Sequence, residues 1–390
     1  MNFINKYNVY FIIVLFCSVC VILFIISGLS ISYQEAIIYF DKNNLTSKLA
    51  HLSTSLLGQN DYALRIPNII FFVLNLSLIY LISNRILKHR VDSILCVVIY
   101  ALIPGVIMQG VLLNESSIML FFVLLICYIE IATGKIAYPL FIISIFISSS
   151  AFMLFLALFF YALSKKRINV AIFALICFSI NMYIYGIDVG GKPRGEFLDV
   201  IGELALLYSP PLFIYYVYTL YRNITKEKQN LLLYVSVCSL IVSFILSIRQ
   251  EINKEIFLFM SLCGIPLMIR QFLSDIRVRL PRFQNAYRNR FIIVLVFLIF
   301  EALLLIFSKS LYLVVENPNK SFLKSFYIAK EVSHQLKERN ISRVTINNQA
   351  MQKRLEFYGI RSGGQPLREV SKNGNIIVTY YGRIVARYAI

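Results

Sequence analysis

The chain of 390 residues is 58% hydrophobic and only 15% charged, with a mean hydropathy of +0.72. A soluble fold of this size cannot hide so much apolar surface, so the composition excludes an ordinary soluble enzyme and indicates a polytopic α-helical membrane protein. The formal net charge of +18 falls on the connections between apolar runs, where lysine and arginine accompany cytoplasmic loops and anionic headgroups, so it implies membrane lipids as partners and no nucleic acid.

Eleven apolar runs follow one another, at about 8–29, 66–84, 91–110, 116–133, 136–149, 151–164, 168–186, 204–221, 230–248, 255–269 and 291–313. The first is too long for a signal-peptide core and has no Ala-x-Ala site, so it reads as a retained helix. The fifth and sixth are short, and Ser148-Ser149-Ser150 suggests a tight re-entry between them. With that split, the basic residues gather on alternate connections: Lys6, Arg85, Lys88, Lys135, Lys165, Arg222 and the arginine-rich stretch 270–290 all fall on one side, which the positive-inside rule makes cytoplasmic. Glu35, Asp61, Glu115, Asp199 and Glu251 fall on the other side, and an odd number of spans puts the C-terminus there too. There is no Trp, so the 25 Tyr and 31 Phe must supply the interfacial belts. All seven cysteines lie inside apolar runs, which implies no disulfide framework.

Residues 1–315 therefore read as a transmembrane domain with outer loops at 30–65 and 110–116. Residues 316–390 read as a separate, basic extracytoplasmic α/β domain. In it, Phe322, Phe326, Ala329, Val332 and Leu336 recur at helical spacing. Arg343–Asn347 and Asn375–Tyr380 look like strands, with a helix over Ala350–Phe357 between them, and Gly363-Gly364 reads as a turn.

Candidate chemistry lies on the outer side. Glu35 follows the first run in Tyr33-Gln34-Glu35, and Glu115 follows the third in Asn114-Glu115. A carboxylate partly desolvated at a membrane boundary can have a raised pKa and act as a general base; alternatively, each is a hydrated loop acid. Lys192 and Arg194 sit in the flexible segment Gly190-Gly191-Lys192-Pro193-Arg194-Gly195, and Arg249 and Lys254 flank the connection after the ninth run. Paired cations on flexible backbone suit a phosphate headgroup. The three histidines, His51, His89 and His334, are scattered, which argues against a histidine metal site.

The order of these features resembles the GT-C glycosyltransferases, in the branch of the protein O-mannosyltransferases and lipid A aminoarabinose transferases. The segment Tyr33–Tyr39 resembles that family's acidic first loop. The segment Gly58–Pro67 resembles its G-x-x-x-x-A-x-R-x-P helix opening through Ala63, Arg65 and Pro67. Asn114-Glu115 resembles the second acidic site, the stretch 249–266 the basic approach to a late proline-containing helix, and Arg354–Gly359 an L-x-F-Y element of the external domain. The family's Asp-Glu pair is Gln34-Glu35 here, and its His-Pro-Pro segment is Lys42-Asn43-Asn44.

The resemblance implies inverting transfer of a sugar from a polyprenyl-phosphate carrier to a lipid, glycan or protein acceptor outside a bacterial inner membrane. Glu35 would be the general base. Tyr33, Gln34, Asn114, Arg65 and Lys254 would contact substrate, and Lys192, Arg194 and Arg249 would stabilise the departing phosphate. Glu115 would orient the acceptor or share a divalent cation, Mg or Mn, with Glu35. Two other classes stay open: a non-catalytic GT-C-like protein that binds lipid phosphate, and a transporter or flippase of lipid-linked saccharide.

Overall fold

The computed structural model describes residues 6–41, 44–186, 197–226, 229–249, 258–313, 323–370 and 374–390. The first helices in chain order are α1 (Lys6–Gly28), α2 (Tyr33–Phe40), α3 (Leu45–Leu57) and α4 (Asp61–Ile86). There follow α5 (Arg90–Leu102), α6 (Pro104–Val111), α7 (Ser116–Thr133), α8 (Tyr138–Ser144), α9 (Ala151–Ser164) and α10 (Ile168–Tyr185). The series continues with α11 (Phe197–Tyr208), α12 (Pro210–Lys226), α13 (Leu231–Arg249), α14 (Ile265–Val278) and α15 (Pro281–Ile306). The C-terminal segment adds α16 (Lys324–Glu338), β1 (Arg343–Thr345), α17 (Gln349–Phe357), β2 (Arg361–Pro366), β3 (Arg368–Glu369), β4 (Ile376–Tyr380) and β5 (Arg383–Ala389).

Among the described residues, seven helices are long and apolar enough to cross a membrane, or up to nine if each of two bent pairs is one span. The bends have local causes. α5 and α6 meet at 66° before Pro104, and α11 and α12 meet at 102° before Pro210-Pro211. Proline removes a helix donor and drives the preceding residue out of the α region; Ser209, just before it, has φ 82°. The run expected at 204–221 is thus broken in its middle. The fifth and sixth expected runs account for the difference from eleven. The chain does turn at Ser148–Ser150, where the two outer hydroxyls lie 3.2 Å apart, but α8 has 7 residues and α9 has 14. At 1.5 Å per residue neither reaches across ~30 Å of hydrocarbon unaided.

By its contacts the chain forms two compact units. The first holds residues 1–19, 70–110 and 114–302; the second holds 20–69, 111–113 and 303–390. The C-terminal residues expected to form a domain of their own therefore share a unit with the first connection.

In the first unit, Arg277 donates to both oxygens of Asp92 at 2.7 Å and Arg222 donates to Asp275 at 2.8 Å. Close backbone approach fixes Gly264: a Cβ there would collide with the Tyr216 hydroxyl and Ser236 Oγ.

In the second unit, β1 and β2 pair in parallel, and β5 lies between β3 and β4 with antiparallel pairing on both sides. The alternating burial of β4 places Ile376, Val378 and Tyr380 on its inner face. The strand expected at 343–347 is present over Arg343–Thr345, that at 375–380 over Ile376–Tyr380, and the helix at 350–357 over Gln349–Phe357. Gly363-Gly364, expected as a turn, lies within β2 instead. Gly363 takes φ 87°, and Gly364 runs against the Arg343 backbone so closely that a side chain would not fit, which is the irregularity recorded between β1 and β2.

Candidate functional site

The site is built around the start of α2. Ser32-Tyr33-Gln34-Glu35 is an S-x-x-E capping box: Ser32 Oγ accepts from the Glu35 N–H at 3.2 Å, and Glu35 Oε2 accepts from the Ser32 N–H at 2.8 Å. The box turns the Glu35 side chain back into the protein, where it is 1% exposed. There it meets Arg65, which is fully buried one turn into α4. Arg65 Nε donates to Glu35 Oε1 and Arg65 Nη2 to Glu35 Oε2, both at 2.8 Å. The Leu113 N–H, just after α6, adds a fourth bond to Oε1 at 3.0 Å.

A carboxylate offers about four lone-pair sites, and all of these are taken. Burial pushes the Glu35 carboxyl up, but the Arg65 charge, the Arg65 hydrogen bonds and the Leu113 and Ser32 N–H groups together hold it below its ordinary 4.5. This corrects the role expected from the sequence. A general base needs an open lone pair and a pKa near the working pH; Glu35 has neither. Nor does a carboxylate engaged by four N–H donors fit a ligand of a shared divalent cation. Among the described residues no group of three or more His, Cys, Asp or Glu could hold a metal ion.

Around this pair the first connection is fastened to the C-terminal segment. Arg65 Nη2 also donates to the Ser30 carbonyl at 3.0 Å. Arg354 on α17 donates through Nε to the Ile31 carbonyl at 2.8 Å and through Nη2 to Ser30 Oγ at 3.2 Å. The Ile31 N–H donates to the Tyr358 hydroxyl at 2.9 Å, which in turn donates to Asp61 Oδ1 at 2.5 Å, and Lys330 on α16 reaches Asp61 Oδ2 at 2.8 Å. Burial pushes the Tyr358 phenol up, and the neighbouring Asp61 charge adds to it. Burial pushes the Arg354 guanidinium down.

An apolar core lies beneath: Ile31, Ala36, Tyr39, Ala50, Leu64, Leu113 and Phe357, with the Tyr39 and Phe357 rings edge to face at 5.2 Å. Residues of the first connection, the second connection and the C-terminal segment thus share one core. Sequence reasoning missed Asp61, Lys330, Arg354 and Tyr358 as partners of this network, although Arg354 and Tyr358 lie in the very element that suggested a family. The S-x-x-E spacing was the available signal for Glu35.

The other expected site residues fall as follows. Gln34 is exposed and Tyr33 half-buried. Asn114 is 3% exposed, and its expected substrate contact is replaced by local structure: Nδ2 donates to the Gln109 carbonyl at 3.0 Å, while Oδ1 accepts from the Ser117 N–H at 3.0 Å and from Ser116 Oγ at 2.8 Å. Asn114 thereby serves one orphan N–H, that of Ser117, at the start of α7, and Glu115, at the N-cap position, makes no capping bond. Glu115 is half-buried and belongs to the first unit, Glu35 to the second. Lys192, Arg194 and Lys254 lie outside the described residues, as does the side chain of Arg249, the last residue of α13. The departure at Lys42-Asn43 also lies outside them. Compared with known proteins, the chain matches no family model and no curated protein.

Proposed function

We propose that the protein is a membrane glycosyltransferase of the GT-C type, moving a sugar from a polyprenyl-phosphate carrier to a cell-envelope acceptor outside the cytoplasmic membrane. The observation that supports this reading is the joint core of the second unit. Three of the segments that carry the resemblance, 33–39, 58–67 and 354–359, are fastened to one another there by Glu35, Arg65, Arg354 and Tyr358. A first connection folded as two helices and bolted to an extramembranous segment gives a lipid-borne substrate a rigid surface to work against.

In this reading Glu35 positions the first connection and touches no substrate, and Glu115 is the candidate base. The acceptor hydroxyl gives its proton to the Glu115 carboxylate while its oxygen bonds to the anomeric carbon. The bond from that carbon to the carrier phosphate breaks, and the phosphate leaves with the electron pair. Configuration inverts. Lys192, Arg194, Arg249 and Lys254 are the cations available by sequence to the departing phosphate. General-base help is worth about 10²–10⁴ in rate, so Glu115→Gln should lower turnover by that order in a transfer assay with the purified chain, with folding unchanged. Full activity in that variant would remove Glu115 from the chemistry.

One observation favours a second reading, a non-catalytic lipid-phosphate-binding relative. The position matching the family's aspartate is Gln34, exposed and unable to accept a proton, and its acidic neighbour is saturated. Comparison of envelope glycans from cells with and without the protein separates the two. Loss of a glycan that wild type restores and Glu115→Gln does not is the outcome for an enzyme; full restoration by Glu115→Gln is the outcome for a binder.

A further inference from the structure

Beyond the outer connections, the first unit contains a cavity of ≈ 300 Å³ between α12, α14 and α15. Its wall is aromatic: Phe272 stacks on Phe291 with ring centroids 4.1 Å apart and on Tyr287 at 5.6 Å, and Tyr215 meets Phe272 edge to face at 6.1 Å. Two arginines complete the lining, Arg279 and Arg290. Both are exposed, and the Arg279 guanidinium lies over the Tyr287 ring at 4.1 Å. The Tyr215 and Tyr287 hydroxyls lie 3.4 Å apart, so one proton joins them and the other is available to an outside acceptor. The nearby acid, Asp275, is engaged by Arg222 and Gln271, so the charge presented by this wall is positive. The cavity belongs to the arginine-rich stretch that the positive-inside rule makes cytoplasmic.

We infer that this aromatic cavity is a binding site for an anionic phospholipid of the cytoplasmic leaflet, with the phosphate on Arg279 and Arg290 and the upper acyl chain against Phe272, Phe291 and Val294. The charge pattern selects this occupant. A zwitterionic headgroup would set its own cation beside two arginines, and a water-soluble anion has no use for an apolar wall. Guanidinium groups suit phosphate because their planar donors match its oxygens in pairs. Each cation at headgroup depth adds appreciable attraction to an anionic lipid, so two of them give a preference on the order of 30-fold over the zwitterionic equivalent.

Native mass spectrometry of the full chain tests this, with phosphatidylglycerol and phosphatidylcholine of identical acyl chains offered at equal concentration. Wild type should retain phosphatidylglycerol about 30-fold over phosphatidylcholine, and the double variant Arg279→Gln/Arg290→Gln only a few-fold or less. A control double variant, Arg282→Gln/Arg288→Gln, changes exposed arginines of α15 outside the cavity lining and should keep the wild-type preference. Equal retention of the two lipids by wild type, or the same loss in both double variants, would overturn the site. Displacement of the lipid by millimolar inorganic phosphate would also overturn it, by making the source a free anion.

Discussion

Neutralising Glu35 leaves the Arg65 guanidinium buried and without its counter-charge, and this is the sharpest consequence at the scale of single residues. Glu35→Gln should destabilise the folded protein by about 3–5 kcal/mol, because removing one partner of a buried pair strands the other. The double replacement Glu35→Met/Arg65→Leu removes both charges and keeps apolar volume, but it strands the Ser32 and Leu113 N–H groups and the Ser30 carbonyl, so it should destabilise as well, by about 1–3 kcal/mol for each group left without a partner. Thermal unfolding of the detergent-solubilised chain reads the difference; an unchanged melting temperature in Glu35→Gln would show that the pair does not hold the fold.

The pH dependence follows with its sign. The native Glu35 carboxyl lies below its ordinary 4.5, so its contribution is complete above about pH 4.5 and is lost as pH falls through the lowered native value. Wild type should therefore keep its advantage over the double variant between pH 8 and 5 and lose it only in stronger acid. The sequence displayed a carboxylate at a membrane boundary, which suits catalysis and capping equally. Only the Ser32 spacing distinguished them, and the partner that settled the matter, Arg65, is thirty residues away in the chain.

At the scale of elements, α4 carries Pro67 inside it. Proline cannot donate to the carbonyl four residues earlier, and that carbonyl, of Ala63, accepts from Ser53 Oγ on α3 at 2.5 Å. The hydroxyl thus repairs the gap proline leaves, and Ser53→Ala should cost about 1–3 kcal/mol by stranding a buried acceptor. Glycines give a contrasting pair. Gly264→Ala should destabilise by about 1–3 kcal/mol through overpacking against Tyr216 and Ser236. Gly202→Ala, in α11 with open space around it, should be neutral or stabilising by up to about 1 kcal/mol. Both are read by thermal unfolding. Most apolar helices were legible because hydrophobic length is a direct consequence of the bilayer. The broken ones were less so: Pro104 and Pro210-Pro211 stand in plain view, but an apolar run continues through them, and hydropathy does not see a bend.

For the whole molecule, the sequence showed a hydrophilic tail but not what it packs on, because the core that joins it to the first connection draws single residues from distant places: Ile31, Leu64, Leu113 and Phe357. A pattern of period 3.6 or 2 reports one element's buried face and carries no address for its partner. It follows that removing residues 316–390 should also unfold the first connection, losing Phe357, Arg354 and Tyr358 together; limited proteolysis between α2 and α4 should turn from slow to fast. The proposed function requires the first connection and the C-terminal segment to occupy the same, outer side of the membrane. Labelling of intact cells with a membrane-impermeant maleimide tests it most directly, using Gln59→Cys, Arg361→Cys and, beyond the α4 span, Lys88→Cys, all at exposed positions in a background without Cys17 and Cys20. Positions 59 and 361 should label from outside and position 88 only after permeabilisation; labelling of 59 and 361 from opposite sides would overturn the shared placement.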